Sequence, residues 1–290
     1  MNQTQMLYRL LNAVKALSVE VETLRYTLHS MWVDASAPFV EAFKNTQILD
    51  VTTNGLTYNG ALYSGIRNIE ISQLTFALGQ KLTNPVEDIL ALAYTNGVAE
   101  TGIELTDDLA SKLRDDLSST RLASQVIGYA AAYFERFIDP LIMQTFASID
   151  TGKATRLSVA ARRESIINTI ESDSYWRILS SIFASRAYNF AIIDTGYYAG
   201  YKLYTIVNPG GGESGSVCDG LIGRTFPIDR GLALAYVLET AAPGGDKLIY
   251  PQLDQDVASV KNLTDQQLID LGYIMPPFHP HCRSQVELLS

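Results

Sequence analysis

Two cysteines, Cys218 and Cys282, and three histidines, His29, His279 and His281, are all the soft donors this 290-residue chain contains. Four of the five fall in two patches, Cys218 and the run His279-Pro280-His281-Cys282. Two thiols and two imidazoles match what tetrahedral zinc takes, so Cys218, His279, His281 and Cys282 are the candidate metal ligands. The spacing is not a pair of Cys-x-x-Cys knuckles. His281 and Cys282 are adjacent, and neighbours in extended chain point to opposite sides. Four ligands on one ion is therefore awkward; His279, His281 and Cys218, or Cys218 and Cys282 with one histidine, is easier. The alternative is a metal-free thiol pair, able to form a disulfide if the protein leaves the reducing cytoplasm. The same residues allow a thiolate–imidazole pair, Cys218 or Cys282 as nucleophile and His279 as base, but no third, orienting group stands at an identifiable position. Catalytic residues and bound cofactors other than zinc are not expected. The sequence has no phosphate-binding Gly-x-x-x-x-Gly-Lys-Ser/Thr loop, no Gly-x-Ser-x-Gly elbow and no His-Glu-x-x-His. The glycines at 210–212 read as a connector.

Composition narrows the partners. With 22 basic and 31 acidic residues the net charge is −9, which excludes nucleic-acid binding by bulk electrostatics. The one basic cluster, Lys153, Arg156, Arg162 and Arg163, reads as a solvated helix face balanced by Glu164 and Glu171, and leaves room for a local contact with DNA. Charged residues make up 18% of the chain, below the roughly 25% of ordinary soluble domains, so part of the surface is expected to be covered by partners or by other copies. Sixteen tyrosines fit an interface-rich protein. Too few cysteines are present for a disulfide scaffold. The opening residues lack the basic region and cleavage site of a secretory signal, and no run of about 18 apolar residues is present to span a membrane. A soluble, cytoplasmically made protein is expected.

The elements that must position these side chains read as α+β. Leu7, Leu10, Val14, Leu17, Val21, Leu24, Leu28 and Met31 follow a 3-4-3-4 heptad spacing, which predicts a long helix over 1–36. Either a partner chain covers that seam, making Leu7–Met31 an oligomerisation element, or its own domain does. Ala37-Pro38 is expected to break or restart the helix. Asn54-Gly55 and Asn59-Gly60 between β-branched and aromatic residues predict a short hairpin. Helices are expected from Asn84-Pro85 and from Thr106-Asp107-Asp108, the latter running toward Asp139-Pro140. Asp150-Thr151-Gly152 is the expected seam between a mainly helical domain, 37–152, and an α+β domain, 153–290. In the latter, Leu157 to Tyr201 is helical, with Ile166, Ile170, Leu179, Ile182 and Phe183 in the core. Lys202 to Val207 is a strand, and Thr264 to Gln267 is a capping box with Gly272 as the stop.

The stretch Ser216-Val217-Cys218-Asp219-Gly220-Leu221-Ile222-Gly223-Arg224-Thr225-Phe226, followed by Pro276-Pro277-Phe278-His279-Pro280-His281-Cys282-Arg283, resembles the closing signature of the phage Mu F-type head morphogenesis proteins. The resemblance covers roughly residues 155 to 288, with Cys218, His279 and Cys282 at the matching positions and Gly223 and Phe226 as structural ones. It implies a minor head protein of a tailed phage, a structural protein and not an enzyme. Such a protein is made in the host cytoplasm and built into the virion near the portal, where it acts in head assembly and, in some members, in DNA exit. Its implied partners are the portal and the major capsid protein. The family often has further cysteines where this chain has Leu221 and Ser284, so a four-cysteine metal site is impossible here. His281 then stands in for one ligand, or the site is metal-free. A cytosolic, zinc-stabilised protein-binding module unrelated to phage is the alternative.

Overall fold

The computed structural model describes residues 3–45, 47–52, 55–68, 72–115, 119–209, 216–241, 260–279 and 282–289. Helices dominate, joined by two small antiparallel sheets, an α+β fold with a helical N-terminal half. The chain forms two compact units: residues 1–25, 84–126 and 176–290 make the first, and 26–83 with 127–175 the second. The expected division at 36 and 152 is therefore not the one the chain adopts. Both units are built from interleaved stretches, and both sides of Gly152 belong to the second.

Helix α1, Gln3–Lys44, continues past the expected break, with Pro38 inside it. Proline removes one i→i−4 bond. Pro38 and Asp34, whose carbonyl loses its partner, are both exposed, so water can take the vacated acceptor. Along the heptad seam Leu24 and Leu28 are completely buried within the chain, while the side chains of Leu7, Leu10 and Val14 lie outside the described set. The exposed large apolar residues of α1 are Val19, Tyr26 and Val33, seven residues apart on another face.

In the second unit, strands β1 (Leu49–Thr52) and β2 (Gly55–Tyr58) form the expected hairpin, pairing Leu49 with Tyr58 and Val51 with Leu56. Asn54 lies outside the described residues. Asn59-Gly60 is not a turn of the hairpin: Asn59 caps helix α2 (Gly60–Ile66), its side chain accepting from the Leu62 N–H at 2.9 Å. Trp32 anchors this unit, fully buried, donating its indole N–H to the Ile170 carbonyl (2.8 Å) and meeting Tyr133 edge-to-face. His29, the remaining histidine, contacts the Glu171 carbonyl at 3.0 Å.

Helix α3, Ser72–Glu100, starts well before Asn84-Pro85 and carries Pro85 in its interior at an exposed position. Asn84 instead marks where the chain passes from one unit to the other. Helix α4 (Asp107–Asp115) opens as expected, Thr106 accepting from the Leu109 N–H, and α5 (Ser119–Tyr133) follows it in the chain, residues 116–118 lying outside the described set. Asp139-Pro140 does not stop the chain either. A π-helical turn, Phe134–Ile138, leads directly into α6 (Asp139–Asp150), and the Asp139 N–H reaches back five residues to the Phe134 carbonyl. The wider turn accommodates a proline that cannot donate. Helices α7 (Arg156–Glu171) and α8 (Ser174–Tyr198) follow. The five predicted core residues between Ile166 and Phe183 are all buried.

The first unit is organised around α8, which is buried continuously from Leu179 to Gly196. Strand β3 (Leu203–Val207) is the centre of a three-stranded antiparallel sheet, flanked by β4 (Thr225–Pro227) and by β5 (Gln285–Leu289). Tyr204 faces Phe226 on one side and Leu288 on the other, and Ile206 faces Val286. Period-2 alternation puts Tyr204 and Ile206 on the buried face. On that face sit Gly196 and Ile193 of α8, and Ile228 and Gly231 of α10 (Ile228–Thr240). At both glycines a Cβ would come within 3 Å of neighbouring side-chain atoms, Leu288 and Ile228 at Gly196 and Ile193 and Tyr204 at Gly231.

Candidate metal centre

Cys218 lies in the short helix α9, Ser216–Leu221, where Cys218 and Leu221 are both buried. The chain leaves α9 through Gly223, whose φ of 81° favours glycine and whose N–H donates to the Ile206 carbonyl at 2.8 Å. It then enters β4, where Phe226 is fully buried beside Tyr204. These contacts tie α9 to the sheet.

The other half of the centre arrives from the tail. Helix α11, Asp265–Leu271, begins with the predicted capping box between Thr264 and Gln267 and stops at Gly272 in the left-handed conformation. The Arg224 guanidinium reaches Asp265 at 2.6 Å and the Lys261 carbonyl at 3.2 Å. Beyond Gly272 the chain is buried through Tyr273, Ile274, Met275 and Phe278, and the Tyr204 hydroxyl donates to the Ile274 carbonyl at 2.8 Å. His279 and Cys282 follow, held one turn apart by the Cys282 N–H donating to the His279 carbonyl.

Residues more than sixty positions apart thus meet. Cys218 Sγ lies 2.9 Å from His279 Nε2 and 3.6 Å from Cys282 Sγ. One donor atom from each of the three residues falls within 4.8 Å of the others. Both thiols are free, with Cys218 1% and Cys282 7% exposed. Cys218, His279 and Cys282 are therefore brought together; His281 lies outside the described residues, and the basic cluster at the start of α7 belongs to the other unit.

The two thiols have unlike chemistry. Cys282 is pushed down to about 6, first by the hydrogen bond from Cys218, then by backbone hydrogen bonds from Phe278 and Ser284 and by the neighbouring His279, against the opposing effect of burial. Cys218 is pushed up, because it shares its proton with Cys282, is buried, and feels the charges of Cys282 and Asp219; the Ser284 hydroxyl acts the other way. The two shifts run in opposite directions because one proton is shared between the sulfurs. Cys282 is the one that more readily becomes a thiolate, able to ligate a soft cation or attack an electrophile. The residues fit zinc: a thiolate, a second thiol able to lose its proton to a metal, and an imidazole.

Sequence reasoning did not single out Asn189, which fixes the tail beside this centre. Its side-chain carbonyl accepts from the Val286 N–H at 2.9 Å, and its amide donates to the Ser185 carbonyl at 2.7 Å. The signal for it was an amide between apolar residues in a helix with no polar face. Tyr94 and Asp194, hydrogen-bonded at 2.8 Å in the interior, gave the same signal. No protein-family model, no curated protein and no solved structure matches this chain.

Proposed function

We propose that this chain is a structural minor head protein of a tailed phage, built into the virion near the portal after synthesis in the host cytoplasm and acting in head assembly. One observation carries the reading. The two stretches that resemble the Mu F-type head morphogenesis proteins, 216–226 and 276–283, are separated by about fifty residues, yet their matching positions form one packed unit. Cys218, His279 and Cys282 meet, Gly223 makes the turn between α9 and β4, and Phe226 fills the space under β3. A shared motif with a common structural purpose has this property; a chance match has no reason to. Burial of both thiols supports a structural role over catalysis.

The portal and the major capsid protein are the proposed partners, with self-association through α1 as a further contact. Leu24 and Leu28 are buried inside the chain, so a contact along α1 from residue 19 onward uses the exposed Val19, Tyr26 and Val33. Any contact with packaged DNA is local, since the chain is acidic. The test is mass spectrometry of gradient-purified particles produced by a host carrying the gene. The chain is expected in the heads at constant ratio to the portal. Its presence only in the soluble fraction overturns the proposal.

A further inference from the structure

We propose that Cys218, His279 and Cys282 hold one zinc ion, and that its fourth ligand is an oxygen on the Ser284 side, the serine hydroxyl or one water that it holds, rather than His281. The inference stands on the site alone and does not depend on the head-protein reading.

Sulfur spacing comes first. Two sulfurs about 2.3 Å from a tetrahedral zinc are about 3.8 Å apart, against about 2.05 Å in a disulfide. The observed 3.6 Å, a thiol–thiol hydrogen bond without metal, lies within about 0.2 Å of that ligand spacing. The 2.9 Å between Cys218 and His279 needs to open by about 0.6 Å to admit the metal, a side-chain rotation within one turn of loop.

Three donors leave one corner open, and one buried group is without a use. Ser284 is 2% exposed, and its hydroxyl makes no hydrogen bond of ordinary geometry. It stands two residues from Cys282, whose sulfur lies 3.6 Å from that of Cys218. A buried hydroxyl without a partner costs about 1–3 kcal/mol, and a metal or metal-bound water removes that penalty. Asp219 neighbours Cys218 in α9 but is not among the converging donors. His281 lies outside the described residues. Ser284 lies two residues beyond Cys282, in non-helical chain leading into β5, and in extended backbone residues two apart share a side.

The predicted site has two thiolates, one imidazole and one oxygen, and it is buried, so it closes the 64-residue span between Cys218 and Cys282 without offering a substrate position. The experiment uses the full chain purified from zinc-supplemented cells, with bound metal quantified by elemental analysis, and its cobalt-substituted form examined by absorption. One zinc per chain and a cobalt spectrum of two thiolates in a tetrahedral field are expected. Ser284→Cys is expected to add a third thiolate band and tighten zinc about tenfold or more in competition with a chelator. Ser284→Ala is expected to weaken zinc by a similar factor, and His281→Ala to change neither measurement. A metal-free protein that takes up neither zinc nor cobalt overturns the site. A cobalt spectrum altered by His281→Ala but not by Ser284→Cys overturns the fourth ligand. Ser284→Cys keeps every other donor, so the outcome does not hang on a variant that fails to fold.

Discussion

Gly97 in α3 is the position where one methyl group tests the centre of the first unit. A Cβ there would lie 2.2 Å from the Tyr188 carbonyl oxygen, 2.8 Å from Ala191 Cβ and 3.0 Å from the Tyr188 carbonyl carbon. An ordinary carbon–oxygen contact needs about 3.3 Å, so Gly97→Ala requires α3 and α8 to part by about 1 Å. The obstacle is backbone of a fully buried helix and cannot rotate away. Around it pack Tyr94, Val98, Leu109, Leu113 and Ala191, and separation loosens all of them. Overpacking costs about 1–3 kcal/mol, and a backbone clash belongs at the top of that range. Alanine returns about 1 kcal/mol of helix propensity over glycine. The net loss is about 2 kcal/mol. The chain has two tryptophans, one in each unit. In a Trp32→Phe background the buried Trp176 of α8 alone reports on the first unit. With a urea slope of about 2–3 kcal/mol/M, the Trp176 transition of Gly97→Ala falls by about 0.7–1 M. Gly196→Ala is the comparison, because its clashes at 2.4–2.9 Å are with the ends of the Leu288 and Ile228 side chains, which can turn aside at smaller cost. A Gly97→Ala midpoint that is unchanged or raised, or a larger loss at Gly196, refutes the reasoning.

Two further variants probe buried polar groups. Glu20 is buried, accepts from Asn96 at 2.9 Å and has its other oxygen unpartnered; desolvation raises its pKa. A raised folded-state pKa favours the neutral acid, so its stability contribution is full below the unfolded value of about 4.3 and is lost as pH rises through the folded one. Glu20→Gln is therefore expected to match the parent in acid and exceed its stability near pH 8, measured by urea midpoints at both; a difference that shrinks as pH rises contradicts this. Asn189→Ala leaves the Val286 N–H buried without an acceptor, at about 1–3 kcal/mol. Hydrogen exchange at Val286 should accelerate more than at Thr205, and equal acceleration at both would show that Asn189 does not hold the tail.

Local signals were legible and tertiary ones were not. The Thr264–Gln267 box, the Gly272 stop, the β1–β2 hairpin and the Ile166–Phe183 core follow from residue type and period, and they hold because neighbours within a few positions decide them. All three prolines expected to end or open helices, Pro38, Pro85 and Pro140, sit in continuous helical stretches instead. A proline stops a helix only where the carbonyl it frees has no other outlet. Pro38 and Pro85 are exposed, and before Pro140 a π turn redistributes the bonds. Period cannot say whether a heptad seam meets another chain or its own; of the α1 seam's described side chains, Leu24 and Leu28 are buried within the chain. For the site, residue chemistry picked out Cys218, His279, His281 and Cys282, of which His281 lies outside the described residues and Cys218, His279 and Cys282 converge. Their mutual distances, and the place of Ser284 and Asn189 beside them, depend on how β5 returns to β3, which no local window contains.

That return also determines what a metal can do here. Strand β5 is secured without it, by pairing along β3 from Leu203 to Val207, by the Asn189 hydrogen bond, and by Leu288 against Gly196. Helix α9 is in a different position. At six residues it is far below the roughly 12–15 at which an isolated helix becomes marginal in water, and it depends on what Val217, Cys218 and Leu221 bury. An ion linking Cys218 to His279 and Cys282 therefore acts chiefly on α9. The large hydrophobic core of α8 and the sheet distinguishes this chain from small zinc modules, which unfold without metal. Metal removal here should release α9 and leave Trp176 in its native environment. The centre is in that sense a staple on a formed domain, fixing the surface that α9 presents.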